Sequence, residues 1–251
     1  MKRILVPTDF SEHAEDALRV AAQIAKKNNS EIILLHMLEL PQQSNDAIVG
    51  GTSIPETMLF MKKANETLDE VASKEYLEGI PVTEIVKMDK PIHGITQISK
   101  DYDVDLIIMG SHGSSGVEEL LIGSNTEKVV RNSEIPVLVI KKNIPNFNAS
   151  DIVFASDFSE EAKKPFEKLL NFTKLFDSKL HLVTICTPNS FKPTHVSEKA
   201  MNDFVAEFDI TNYTTQIYND TNIEKGIINF SNRIDADVIG MCTHGRTGFA
   251  H

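Results

Sequence analysis

The sequence predicts an α/β chain built as two tandem doubly wound parallel-sheet domains, the second truncated at its C-terminal end. Three observations lead there. Short apolar runs alternate with amphipathic helical patterns, which implies a parallel sheet covered on both faces. Two sequence blocks recur in the same order: "ILVPTDFSEHAEDAL" from Ile4 returns as "IVFASDFSEEAKKPF" from Ile152, and "DVDLIIMGSHGSSG" from Asp103 returns as "DADVIGMCTHGRTG" from Asp235. The length of 251 residues accommodates two domains of ordinary size.

Taken in order, the first copy has strand candidates at residues 4–6, 31–37, 82–87, 106–109 and 137–140. Helical patterns fill residues 12–27, 56–77, 92–102 and 126–132. On the first of these, Ala14, Ala17, Leu18, Ala21, Ile24 and Ala25 share one face at helical spacing. Right-handed crossovers then give a doubly wound, flavodoxin- or Rossmann-like sheet. The polar stretch from Lys141 to Ser150, broken by Pro145, reads as a linker between domains at 1–142 and 150–251. The second copy repeats the strands near residues 152–155, 180–185, 213–218 and 238–241. Counterparts of "LLIGSNTEKVV" and of the strand "PVLVI" do not follow. Pro165 falls inside the first helix expected of this copy, where it would remove a hydrogen bond.

Composition bounds the function. A net charge of −11 and a pI near 5.2 argue against nucleic acid and anionic membrane as partners. Two cysteines, Cys186 and Cys242, make neither a disulfide framework nor a zinc site unaided, and read as small apolar groups. The N-terminus has no signal-peptide pattern and no stretch is long enough to span a bilayer, so a reducing cytoplasm is expected. Met37, Met58 and Met61 read as core.

In open α/β sheets ligands sit beyond the carboxyl ends of the strands, where strand order reverses. Two loops qualify: Pro7 to Ser11 after strand one, and Gly110 to Asn125 after strand four. If strands one and four are neighbours, the loops face one crevice. Gly110 and Gly113 would let backbone amides approach an anion, and the helix opening after Gly123 at Ser124 and Asn125 offers free N–H groups. The same residues also fit a bland account, with glycines in turns and Ser124-Asn-Thr-Glu127 as a capping box. Asp9 is equally double. It could hold ribose or a metal, or help Ser11 cap the first helix, as Asp157 and Ser159 would in the second copy. His112 and His244 occupy equivalent turn positions and are expected to be structural, since spacing supplies no catalytic partner. The segment from Leu40 to Pro55 reads as a mobile loop near the crevice.

"ILVPTDFS", "IILLHMLE", "DLIIMGSHG" and "GSNTEKVVRNSEIPVLVIK" resemble the universal stress protein family across all of the first copy and, more weakly, the second. The spacing Gly110-x2-Gly113-x9-Gly123-Ser124 is similar to the signature of that family's ATP-binding branch. The resemblance implies a regulatory ATP-binding stress-response protein, with Mg²⁺ accompanying the nucleotide and no catalytic or metal-ligating side chain. Asp9 would contact ribose, Pro7 would shape the loop beside it, and Met37 would offer backbone groups to adenine. Gly110 would approach ribose and phosphates, while Gly113, Gly123, Ser124 and Asn125 would bind phosphates. The strand at 136–140 resembles the segment through which such domains pair, both within a chain and in a homodimer. Ala155 stands where Pro7 does and Cys242 where Gly110 does, so the second copy is expected to be degenerate and empty. The alternatives are a slow ATPase and a nucleotide-free scaffold.

Overall fold

The structure, a computed structural model, describes residues 1–39, 54–111 and 122–242. It divides into two compact units, Met1–Phe147 and Asn148–His251. In the first, β1 (Arg3–Thr8), α1 (Glu12–Asn28), β2 (Glu31–Leu38), α2 (Ile54–Ala72), β3 (Val82–Met88), α3 (Pro91–Asp101), β4 (Leu106–Gly110), α4 (Ser124–Asn132) and β5 (Val137–Ile140) alternate as the sequence predicts. All strands pair in parallel, in the order β3-β2-β1-β4-β5. Strands one and four are therefore neighbours, and the order reverses between them.

Every residue expected on the buried face of α1 is buried there, joined by Val20 and Ala22. On the other face of the sheet, Leu5, Ile33, Leu35, Ile107 and Met109 pack against Ile95 and Ile98 of α3 and Val129 of α4. The predicted helix at 56–77 ends early: α2 stops at Ala72, and a separate 3-10 turn spans Glu75–Leu77. Met58 is not core, being 68% exposed. The buried stripe of α2 runs through Ala64 and Leu68 with Met61 at its margin. Met58 lies off that stripe, since successive helical residues are rotated by about 100°.

The second unit holds β6 (Asp151–Ala155), α5 (Lys163–Phe176), β7 (Lys179–Cys186), α6 (Thr194–Val205), β8 (Tyr213–Asn219), α7 (Ile223–Arg233) and β9 (Val238–Met241), with sheet order β8-β7-β6-β9. Phe154, Phe158, Phe166, Phe204 and Phe208 form one aromatic cluster, Phe166 being fully buried. Pro165 does not break the helix: it lies near the start of α5, where the missing N–H is best tolerated. The element opens as a 3-10 turn at Glu160–Ala162 and α5 restarts at Lys163. The missing N–H of Pro165 fits the point where the 3-10 turn gives way to α-helix. Among the described residues nothing corresponds to α4 and β5. Ile239 and Met241 are accordingly 40% and 59% exposed, whereas their counterparts Ile107 and Met109 are buried.

The shared residues of the two copies are mostly turn-makers. Phe10 and Phe158 both take positive φ, 65° and 57°. Their amides donate to Thr8 and Ser156 hydroxyls at 3.0 Å in each case. Asp9 and Asp157 carboxylates accept from the amides of Ser11 and Ser159. Asp105 and Asp237 accept amides at the start of β1 and β6. Among the described residues, chain geometry thus accounts for these shared turn positions.

Candidate functional site at the strand-order reversal

The mouth of the first sheet is built from the ends of β1, β2 and β4 and the start of α4. After β1, Asp9 is exposed and its Oδ1 accepts from the Ser11 amide at 3.1 Å and the Ser11 hydroxyl at 2.6 Å. Ser11, not Asp9, is the N-cap of α1, accepting from the Ala14 amide at 3.3 Å. The turn is pinned by two residues that sequence reasoning missed. Phe10 stacks on His36 with ring centroids 4.3 Å apart. His36 Nδ1 lies 2.8 Å from the Thr8 carbonyl, which can only accept, so Nδ1 carries the proton. No spacing rule brings residues 10 and 36 together; only the register Thr8↔His36 does.

Met37 sits at the end of β2. Glu31 donates its amide to the Lys2 carbonyl and Ile32 donates to Pro81, so odd residues of β2 face β1. The Met37 carbonyl therefore faces the side that β1 leaves as it turns off at Asp9. Its side chain packs on α3, where Gly94 makes room for the thioether.

At the end of β4, Gly110 runs against the first turn of α1. A Cβ there would lie 2.6 Å from the His13 carbonyl oxygen and 2.7 Å from its carbon, so only glycine fits. Buried Ser111 donates its amide to Ile140 at 2.8 Å. Its carbonyl accepts from the Gly123 amide at 2.6 Å, and the Thr126 hydroxyl donates to the Gly110 carbonyl at 2.9 Å. The neck of the long loop is thereby closed. Gly113 and His112 lie outside the described residues, as do His244 and most of the segment from Leu40 to Pro55.

The capping box expected at Ser124 does not form. Gly123 is the N-cap and no side chain caps the helix. Glu127 instead pairs with Arg131 at 2.9 Å, one turn on. Because helix formation begins one residue earlier than a Ser124 cap requires, Ser124 becomes the first helical residue. The first-turn amides of Ser124 and Asn125 have no acceptor among the described residues, and both residues are exposed. An uncapped helix start beside a closed loop neck presents N–H donors and the positive dipole end to an anion. The structure thus brings Pro7, Asp9, Met37, Gly110, Gly123, Ser124 and Asn125 to one end of one sheet.

In the second unit Cys242 directly follows β9. Burial first, and the nearby Asp157 charge second, push its thiol up to about 11. At pH 8 its thiolate is then about 100-fold scarcer than that of an ordinary thiol. Iodoacetamide is expected to label Cys242 at least about tenfold more slowly in the folded chain than in urea. Equal rates, read by peptide mass spectrometry, would contradict a half-buried thiol of raised pKa at this position. Among the described residues no three His, Cys, Asp or Glu side chains are grouped to hold a metal, and no helix is long and apolar enough to cross a membrane.

A family model described as the universal stress protein family matches residues 1–141. A universal stress protein of Methanocaldococcus jannaschii is 37% identical over 157 residues, spanning 56% of this chain and 95% of that one. A different universal stress protein of the same organism is 31% identical over 150 residues, spanning 56% of this chain and 82% of its own. Among solved structures, a universal stress protein from Archaeoglobus fulgidus superimposes with a TM-score of 0.73 at 25% identity, covering 95% of this chain and 86% of that one.

Proposed function

The chain belongs to the universal stress protein family, and from that premise we propose that its first domain binds ATP and that the protein acts as a nucleotide-dependent regulatory module of the stress response. The observation that supports the reading is that α4 starts at Gly123, Ser124 and Asn125 without a side-chain cap, following β4, beside which the strand order reverses. Phosphates would sit on the first-turn amides of α4 and on the loop containing Gly113. Ribose would lie against Asp9 and Gly110, and adenine against the backbone of Met37. No lysine or arginine occurs between Gly110 and Asn125, so Mg²⁺ would share the phosphate charge with backbone amides. In this reading the second domain carries no nucleotide: Cys242 replaces Gly110 and Ala155 replaces Pro7. The position of β5 at the edge of its sheet supports pairing with a second copy. The protein would work in the cytoplasm.

Isothermal titration of stripped protein with Mg²⁺-ATP is expected to give one site per chain. Two equivalent sites, or none, would sink the proposal. Mass spectrometry of ligand released from freshly purified protein separates it from the nucleotide-free scaffold.

A further inference from the structure

The two sheets differ in how far their central strands stay zipped. β1 and β4 pair only at Ile4↔Leu106 and Leu5↔Ile107, although β1 continues to Thr8 beside β2 and β4 to Gly110 beside β5. Their counterparts β6 and β9 pair twice further, through Phe154↔Gly240 and Ala155↔Met241. The backbone phase identifies the cause. Lys2 accepts an amide from β2, and Arg3 accepts one from the Asp105 side. Alternate residues of a parallel strand face the same neighbour, so Leu5 and Pro7 face β4. Extending the ladder one step needs an N–H at position 7 to meet the Ile108 carbonyl, and proline has none. In the second sheet Ser150 and Ser156 face β7, so Ala155 faces β9 and supplies that N–H.

We infer that Pro7 is a positioning residue: by withholding one N–H it stops the β1–β4 ladder at Leu5↔Ile107 and holds open the mouth that the second sheet closes with Ala155. The consequence for ligand rests on the ATP reading given above. Closing the ladder would draw the Asp9 turn toward Gly110 and narrow the space between them.

The test replaces Pro7 with residues that have an N–H, Pro7→Ala and the stronger strand former Pro7→Val, in the full chain. Amide exchange at position 7 is followed by NMR, and ATP affinity by titration. The expected result is an amide at position 7 that exchanges more than about tenfold slower than an unprotected amide, with ATP affinity lowered about tenfold or more. An unprotected amide in both variants overturns the inference, including the case where affinity still falls, which would mean that the proline ring itself touches the nucleotide. A protected amide with unchanged affinity overturns the positioning role. Should the parent protein bind no ATP, the nucleotide reading falls, and the exchange at position 7 alone decides the ladder inference.

Discussion

Gly110→Ala is expected to destabilise the first domain by about 1–3 kcal/mol or more, and to weaken ATP binding with it. The added methyl would meet the carbonyl carbon and oxygen of His13 at 2.7 and 2.6 Å. Those atoms belong to the first turn of α1 and cannot rotate aside. Either α1 lifts from the sheet or the end of β4 moves, and β4 carries the Ser111–Gly123 neck with it. Gly94→Ala is the control. Its nominal clash is worse, 2.2 Å to Cε and 2.5 Å to Sδ of Met37, but a thioether end can swing away. The helical position also gains about 1 kcal/mol of propensity on going from Gly to Ala. The nearer contact should therefore be the cheaper one. Urea melts of both variants check this. A Gly110→Ala variant within about 0.5 kcal/mol of its parent, or less destabilised than Gly94→Ala, would show that α1 and β4 are not held rigidly.

How much of this was legible in the sequence depends on the kind of signal. Alternating periodicity and the internal repeat need only local pattern, so the elements, the parallel sheets and the two matched copies could be read directly. The reversal point followed once β1 and β4 were shown to be adjacent. The cap of α4 was misread because Ser124-Asn-Thr-Glu127 fits a box equally well one register later, and only the Gly123–Ser111 bond sets where the helix begins. Met58 was misread as core because apolar character does not fix the face of a helix. Pro7 was visible as a residue but silent in its effect, since a proline breaks only the ladder that its missing N–H would have joined. That requires the phase of pairing, a non-local fact. The stacking of Phe10 on His36 was hidden for the same reason.

Turnover should be very slow. Fast phosphoryl transfer needs positive charge placed on the γ-phosphate and an oriented nucleophile. The sequence between Gly110 and Asn125 carries neither lysine nor arginine. Arg131 lies two turns into α4, 59% exposed and paired with Glu127. Among the described residues at the mouth, Asp9 has its Oδ1 engaged by the Ser11 amide and hydroxyl, and abstracting a proton from water would compete with that turn and, on the ATP reading, with ribose. Amides at a helix start bind the ground-state phosphates without favouring the transition state, which lowers Kd and leaves the barrier in place. Purified protein with Mg²⁺-ATP is therefore expected to release phosphate at least about a thousandfold more slowly than a median enzyme working at about 10 per second. On the ATP reading, Asp9→Asn is expected to weaken nucleotide binding while leaving the already slow phosphate release little changed. A parent rate near the enzyme median, abolished in an Asp9→Asn variant that still binds ATP, would make Asp9 a water activator and the protein an ATPase rather than a regulatory binder.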